Sequence, residues 1–239
     1  VVFNFYSLNF ALFMSKSATI ITSVRNCLEE TRVFLDSLFS HEPANLAQVI
    51  VVDDGSEKET ENFLRSLKDS IQLVRNDKSI GFGPANNLGV EHSQSDWLLF
   101  MNNDLVLTKD WAKPFETVMN GQQKLNQLGC LGNVQLDPRT KKIDHAGITF
   151  AKGYPSHYLQ GEENLPREGF SEYLAVTGAC FLIRKDLFWR TGGFDQAYKT
   201  GFEDSDFCLK LRLLGYKHYV ANASKIWHKR SSTPERHDH

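Results

Sequence analysis

The sequence predicts an α/β fold with a mostly parallel central sheet, and two observations carry the prediction. Short apolar strands alternate with amphipathic helices over the first half of the 239-residue chain. That alternation is typical of a parallel sheet covered by helices on both faces. Beyond about Lys113 the segments are strand-like and interrupted by glycine and proline, which predicts a smaller mixed or antiparallel extension.

Each element of the first half has its own signal. The run ATIITSV is β-branched and is predicted to be a fully buried strand. The segment after it carries an apolar stripe at helical spacing, and a later segment, EKETENFLRSLKD, is amphipathic. Strands are predicted at 18–24, 47–56, 71–76 and 96–104, and helices at 27–40, 57–69 and 83–94.

The second half is predicted with fewer helices. Strand-like segments lie at 128–137, 142–150 and 173–188. A helix is predicted over 205–215, because Phe207, Leu211 and Leu214 share one face and Gly215 follows as a C-terminal stop. We find no sequence repeats and no low-complexity segment.

Composition and charge exclude some classes of protein. The formal net charge of −2 gives no general attraction to nucleic acid or to anionic membranes. Residues 1–14 are apolar and aromatic, but the run is too short to span a bilayer and lacks the features of a signal peptide. The four cysteines are scattered without a C-x-x-C pair, so neither a disulfide framework nor a zinc site is expected, and a reducing cytosol fits best.

Polar side chains follow each of the four predicted strands of the first half. In open α/β sheets, ligands bind at the carboxyl ends of the parallel strands. A single DDGS segment would be explained by a turn, but four polar strand ends at one edge predict a binding site. The residues are Ser23, Asn26, Asp53, Asp54, Asn76 and Asp104.

The phosphate-binding motifs of other nucleotide enzymes are missing. GFGPANNLG does not follow the first strand and has Asn86 where a dinucleotide fingerprint needs glycine, and no Walker loop occurs. A bound phosphate would therefore need another counter-charge, such as a divalent cation. Asp104, at the end of the apolar run LLFM, is a candidate ligand for Mg²⁺. His228 is a candidate nitrogen ligand, which Mn²⁺ tolerates, although a lone histidine is more often a surface or core residue.

An acidic cluster opens the predicted helix near the C-terminus. Capping of the helix by Asp204, with acids that suit the helix dipole, is one interpretation. Three acids, Glu203, Asp204 and Asp206, exceed the need of one cap, and a general base is the other interpretation.

The order of these motifs resembles family 2 glycosyltransferases, and in particular the rhamnosyltransferase-like branch of bacterial polysaccharide enzymes. The resemblance covers about 18–232. Each motif is weak alone, but eight in order are specific. They are ATIITSVRN, VIVVDDGSEKET, NDKSIGFGPANNLGV, WLLFMNNDLVL, VTGACFLIRKDLF, GGFDQAY, GFEDSDFCLKLRLLGY and IWHKRSS.

The resemblance implies a GT-A fold, a nucleotide-diphosphate sugar donor (UDP-, dTDP- or GDP-sugar), a divalent metal (Mg²⁺ or Mn²⁺) and inversion at the anomeric carbon. Asp53 resembles the carboxylate that binds the nucleotide base, and Asp104 the metal-binding carboxylate of the D-x-D motif. Asp204 matches the catalytic base, and Glu203 beside it shapes the acceptor site. His228 matches a histidine that closes on the metal or the diphosphate.

Further residues are assigned to the donor by the same resemblance. Ser232 would assist His228, and Lys229 and Arg230 either face the phosphates or are solvated. Two positions depart from the family pattern: Asn102 replaces the first aspartate of D-x-D, and Arg25 stands where tyrosine is common. The resemblance assigns Asn87, Thr177, Gly178 and Ala179 to the donor. The polar strand ends add Ser23, Asn26, Asp54 and Asn103 as expected donor residues.

The expected function is metal-assisted, inverting transfer of a sugar to a hydroxyl of a glycan or lipid-linked acceptor, with Asp204 as general base. The expected organisation is an N-terminal extension or leader (1–16), one catalytic domain (17–232, with a nucleotide-binding half at 17–112 and an acceptor-binding half at 113–232) and a tail (233–239). We expect a cytoplasmic protein, with a peripheral membrane contact compatible with a lipid-linked acceptor, and no nucleic-acid partner. The alternatives are a non-catalytic nucleotide-sugar or carbohydrate-binding protein and a sugar nucleotidyltransferase. The oligomeric state is left open.

Overall fold

The structure, a computed structural model, describes residues 18–151, 153–198 and 201–230. The predicted N-terminal extension (1–16), the tail (233–239) and Ser232 lie outside the described residues. None of the helices in the described ranges is long and apolar enough to cross a membrane.

The first half forms the parallel part of the sheet, as predicted. β1 pairs in parallel with β2 on one side and with β4 on the other, and β2 pairs in parallel with β3. Their carboxyl ends therefore meet at one edge. The elements are β1 (Ala18–Val24), α1 (Leu28–Ser40), β2 (Leu46–Asp54), α2 (Lys58–Ser66), β3 (Gln72–Asn76), α3 (Phe82–His92) and β4 (Trp97–Met101).

The second half continues the same sheet, so its mixed strands are not a separate layer. The sheet order is β10-β12-β6-β11-β4-β1-β2-β3, with β5 paired to β12 and β7 paired to β6. β8 and β9 form a separate two-stranded sheet. The elements are β5 (Leu105–Val106), α4 (Lys113–Met119), β6 (Leu128–Leu136), β7 (Ile143–His145), β8 (Ile148–Ala151), β9 (Tyr154–His157), β10 (Phe170–Tyr173), β11 (Cys180–Arg184), α5 (Lys185–Arg190), α6 (Glu203–Leu213) and β12 (Lys217–His228).

Three details of the second half differ from the sequence prediction. The strand-like segment 173–188 contains only the five residues of β11 as a central strand, and α5 follows it directly. The sequence analysis also missed α4 and the 12-residue strand β12. β12 carries buried polar residues among its apolar ones, which removes the simple apolar signal of a central strand.

Helices cover both faces of the sheet because successive side chains of each strand point in opposite directions. Ile20 packs in a core that includes buried residues of α1, α2 and α4, whereas Ile21 packs in a second core with α5 and α6. The second core is built around five phenylalanine rings in mutual contact: Phe100, Phe181, Phe188, Phe194 and Phe207.

Helix α6 begins at a different residue from the one that the capping interpretation requires. Phe202 precedes the helix in the left-handed conformation, with φ of 70°, and no side chain caps the helix. Asp204 therefore lies within the first turn, and its carboxylate bonds both to the amide of Ser205 in the helix and to the amide of Gly178 outside it. Gly215 has a φ of 88°, as expected for a residue that follows a helix end.

Candidate active site

A cavity of about 690 Å³ brings together residues from the ends of the sheet and from α6. Six residues with predicted roles line it, namely Thr177, Gly178, Ala179, Glu203, Asp204 and His228. Asn102, from the D-x-D position, lines it as well. Two separate halves of the sequence therefore contribute to one concave site, which is the usual form of a small-molecule site.

The carboxylate of Asp204 is held in the cavity wall by backbone groups. Its Oδ2 accepts a hydrogen bond of 2.7 Å from the amide of Gly178, and its Oδ1 accepts one of 2.6 Å from the amide of Ser205. A Cβ added at Gly178 would lie 3.3 Å from the Cβ of Asp204, so glycine permits this close approach. Glu203 precedes it in the first turn of α6 and is 7% exposed.

The C-terminal histidine lies between two carboxylates. Pairing of β5 with β12 sets His228 beside Leu105, and the amide of Lys229 donates a 3.0 Å hydrogen bond to the carbonyl of Asp104. The Nε2 of His228 is 3.4 Å from Oδ1 of Asp104, and its Nδ1 is 2.9 Å from Oδ2 of Asp144. All three side chains are nearly buried.

Charge within this group shifts two pKa values in opposite directions. Burial by itself would lower the pKa of His228, but the carboxylates of Asp104 and Asp144 outweigh it and raise the pKa to about 9. Burial would raise the pKa of Asp144, but His228 and Arg230 outweigh it and lower the pKa to about 2. Without a metal ion, a protonated His228 and Arg230 together therefore balance the charges of the two acids.

Asp104 and His228 fit the requirements of a divalent ion. Mn²⁺ accepts one carboxylate and one imidazole and completes its shell with phosphate oxygens and water. Adjacent ligand atoms of an octahedral ion lie about 3 Å apart when each is about 2.1 Å from the metal. The 3.4 Å between Nε2 of His228 and Oδ1 of Asp104 is close to that separation.

At the carboxyl end of β2, Asp53 forms a second polar group. Its carboxylate is fully buried, accepts a 2.9 Å hydrogen bond from the amide of Ser56 and forms an ion pair with Arg75. Asn26 adjoins the same turn, because its backbone amide donates a 2.8 Å hydrogen bond to Oγ of Ser56. Ser23, near the carboxyl end of β1, accepts a 3.2 Å hydrogen bond from the side-chain amide of Asn86.

Three other residues assigned to the donor have side chains that bond within the protein. Asp54 accepts hydrogen bonds from Asn76, Ser79 and the amides of Ile80 and Gly81, and so fixes the loop that follows β3.

Asn87 uses both ends of its amide on the backbone of Phe194, at 2.8 and 2.9 Å. Asn103 donates a 2.9 Å hydrogen bond to Thr31 of α1. These contacts give Asp54, Asn87 and Asn103 roles in the architecture of the site.

Several residues of the site were missed by the sequence analysis. Asp144 is buried beside His228, and Arg139, His157 and Gln160 line the cavity. Arg230, which the sequence analysis does name, lines it too. Asp144 occurs in a short strand-like segment, KIDHAGITF, where a buried acid within an apolar run was the one available signal.

The fold also brings together residues that the sequence spacing had separated. Ligand atoms of Cys130, Cys208 and His218 lie within 4.8 Å of one another, and all three residues are buried. Both ring nitrogens of His218 already bond to backbone, Nδ1 to the amide of Cys130 and Nε2 to the carbonyl of Cys208. The cluster is therefore a packed part of the core, and all four cysteines are free thiols.

Comparisons with known proteins agree with the resemblance in sequence. The O-antigen biosynthesis protein RfbC of Myxococcus xanthus is 25% identical over 240 residues, which cover 95% of this chain and 18% of that protein. The rhamnosyltransferase WbbL of Escherichia coli K12 is 27% identical over 155 residues, 59% of this chain and 58% of that protein. The chain thus spans only part of the length of these relatives.

Solved structures support the fold. GalNAc-T7 with UDP, GalNAc and Mn²⁺ superposes with a TM-score of 0.73 at 15% identity, over 89% of this chain and 43% of that one. The mannosyltransferase PcManGT of Pyrobaculum calidifontis, in complex with GDP-Man and Mn²⁺, gives 0.65 at 16% identity, over 90% of this chain and 57% of that one. The predicted GT-A fold is confirmed. A family model described as "Glycosyl transferase family 2" matches residues 19–192, most of the chain, and the chain belongs to that family.

Proposed function

We propose that the chain transfers a sugar from a nucleotide-diphosphate donor to a hydroxyl group of a glycan or lipid-linked acceptor, with inversion at the anomeric carbon. The observation that carries the proposal is the cavity that holds the carboxylate of Asp204 and the imidazole of His228 in one site. The reaction needs a base that deprotonates the acceptor hydroxyl and a side chain that helps to bind a metal ion at the leaving diphosphate.

In the proposal Asp204 takes the proton from the attacking hydroxyl. Its two backbone hydrogen bonds hold the carboxylate in a fixed orientation at the cavity wall, which favours proton transfer within a bound complex. Glu203 shapes the acceptor side from the same turn of α6. As the sugar departs from the diphosphate, negative charge develops on the opposite side of the reacting carbon.

Asp104 and His228 would hold the divalent ion, which supplies Lewis-acid stabilisation of that charge when it is bound. The GalNAc-T7 and PcManGT structures contain Mn²⁺, which supports a metal of this kind. Arg230, which lines the cavity beside them, would add positive charge toward the phosphates.

The nucleotide would lie along the ends of the parallel strands, with its base toward the Asp53–Arg75 pair. Asn26 and Ser23 sit on the same strand ends and would contact the ribose or base. The two neighbouring structures contain UDP and GDP-Man, which supports a nucleotide-sugar donor and leaves the choice of base to the test below.

We further propose that the acceptor belongs to bacterial polysaccharide synthesis on the cytoplasmic side, with a peripheral membrane contact if it is lipid-linked. Relatives named for O-antigen biosynthesis and rhamnosyl transfer support this assignment. The four free thiols suit a reducing compartment.

The test is a screen of UDP-, dTDP- and GDP-sugars with Mn²⁺ or Mg²⁺, by thermal shift for binding and by released nucleotide for turnover. Asp204→Asn is expected to keep donor stabilisation and lose at least 100-fold in turnover. Asp206→Asn, on the same turn of α6 but outside the cavity lining, is the matched control and should keep most activity. Nuclear magnetic resonance of the product reports whether the anomeric configuration inverts.

Two results would contradict the proposal. Turnover that survives Asp204→Asn would remove this carboxylate from the base role. Donor binding without hydrolysis or transfer to any glycan or lipid-linked acceptor would favour a nucleotide-sugar-binding protein.

A further inference from the structure

A buried carboxylate that the proposed chemistry does not use lies behind His228. Asp144, in the middle of β7, is 3% exposed. An unpaired carboxylate in such a place would cost several kcal/mol, so both of its oxygens are expected to be engaged. They are: Oδ2 is 2.9 Å from Nδ1 of His228, and Oδ1 forms an ion pair with Arg230.

The order of strands explains why Asp144 is there. β5 pairs with β12, β12 with β6, and β6 with β7, so the four strands lie side by side. Asp104, directly before β5, and Asp144, on β7, therefore approach the end of β12 from opposite sides. His228, the last residue of β12, contacts both acids.

The two contacts of the imidazole are unequal. The 2.9 Å distance between Nδ1 and Asp144 is that of a hydrogen bond, and Nδ1 donates because a carboxylate only accepts. The 3.4 Å distance between Nε2 and Asp104 is longer than an ordinary hydrogen bond. Asp144 thus fixes the rotation of the ring and holds the proton on Nδ1, so Nε2, on the Asp104 side, is the nitrogen that gives up its proton when a cation binds.

We propose that Asp144 is a positioning residue, which holds His228 so that Nε2 can bind a divalent cation together with Asp104. The inference rests on the proposed metal-dependent function and adds a residue that touches neither metal nor substrate. Carboxylates that orient metal-binding histidines in this way commonly contribute 10- to 100-fold to metal affinity, roughly.

The rival role for Asp144 is to pair with Arg230 alone. Arg230 lines the cavity with a side chain that is 43% exposed. Because it forms an ion pair with Asp144, its orientation also depends on that carboxylate. The two roles differ in what they predict for metal binding once His228 has been removed. A residue that acts through His228 loses its effect when the imidazole is absent, whereas one that acts through Arg230 keeps it.

The experiment measures the affinity for Mn²⁺ from the free-ion signal in electron paramagnetic resonance, in one arm with UDP and in the other with GDP. The nucleotide that gives the tighter Mn²⁺ binding to wild-type protein is then used for the variants His228→Ala, Asp144→Ala and the double variant. We expect Asp144→Ala to weaken Mn²⁺ binding about 10- to 100-fold. We expect the double variant to match His228→Ala within about twofold.

Controls separate positioning from loss of folding. Circular dichroism and the thermal midpoint are recorded for each variant. Asp144→Asn, which keeps an oxygen that can accept from Nδ1, is the second variant and should weaken Mn²⁺ binding less than Asp144→Ala. Asp186→Asn changes the charge equally at an exposed ion pair on α5, and it should leave the affinity unchanged.

The outcomes are distinguishable. Wild-type protein that binds Mn²⁺ in neither arm overturns the proposed metal site, and the positioning role with it. Wild-type binding that Asp144→Ala leaves unchanged overturns the positioning role alone. Binding that His228→Ala leaves unchanged removes His228 from the proposed metal site, and the positioning role falls with it. Effects of the two substitutions that simply add overturn the positioning role alone.

Discussion

The buried histidine at the junction of β12, β6 and α6 makes the stability of this domain depend on pH. His218 is fully buried, and its neutral ring is fixed by two backbone contacts. Nδ1 accepts a 3.0 Å hydrogen bond from the amide of Cys130, and Nε2 lies 2.8 Å from the carbonyl of Cys208, to which it donates. Protonation would turn Nδ1 into a donor and remove the first of these bonds.

The size of the effect follows from the pKa. Burial lowers the pKa of His218 from 6.5 to about 4, and the bond to the Cys208 carbonyl opposes this only in part. The unfolded chain therefore takes up a proton at a higher pH than the folded protein does. The stabilisation is fully present above pH 6.5 and is lost as the pH falls toward 4, so that the difference of 2.5 pKa units corresponds to about 3 kcal/mol. Between pH 7 and pH 5 the loss is about 2 kcal/mol.

The assay is equilibrium unfolding in urea at pH 7 and pH 5, with EDTA present, for wild-type protein and His218→Gln. Glutamine does not titrate, so the variant should lose about 2 kcal/mol less than wild type between the two pH values. The exposed His92→Gln is the matched control and should keep the wild-type dependence. Burial also lowers the pKa of His145 and His157, so the wild-type protein loses more free energy of unfolding between pH 7 and pH 5 than His218 alone accounts for. An identical loss in His218→Gln and wild type would refute the reasoning.

Three further predictions concern stability, each measured as the free energy of unfolding in urea. Asp54→Ala removes the acceptor of the loop after β3 and should cost about 3–5 kcal/mol, whereas an unchanged midpoint would contradict that anchoring role. Asn87→Ala leaves the amide and carbonyl of Phe194 without their side-chain partner and should cost about 2–3 kcal/mol. Gly147→Ala places a Cβ against the ring of Tyr173 at a φ of 121° and should cost about 2–4 kcal/mol. A free energy of unfolding within about 0.5 kcal/mol of wild type would contradict both the overlap and the backbone strain.

The parallel half of the fold was predictable because its signals are local. β1, β2 and β4 contain apolar runs, α1 and α2 have apolar faces, and the alternation of strands and helices predicts the class. The second half was less predictable. β12 mixes buried Asn222, Ser224 and His228 with apolar residues, so it lacks the apolar pattern of a central strand. It lies within the sheet because it pairs with β5, β6 and β10, which come from distant segments.

The same division holds for the candidate site. Sequence motifs alone predict Asp104, Glu203, Asp204 and His228 as site residues, because strand ends and an acidic helix start are local features that the order of the family motifs makes specific. The residues Asp54, Asn87 and Asn103 come from the same motifs, but their side chains bond within the protein, and only the structure reveals those partners.

By itself, the sequence determined the α/β class, the family and the identity of the acids and the histidine that meet at one edge. Only the tertiary structure decided what surrounds them. Asp144 reaches His228 across 84 residues of chain because four strands from distant segments lie side by side. Such a contact depends on strand order and register, which arise from the packing of the whole sheet and leave no pattern in any one segment.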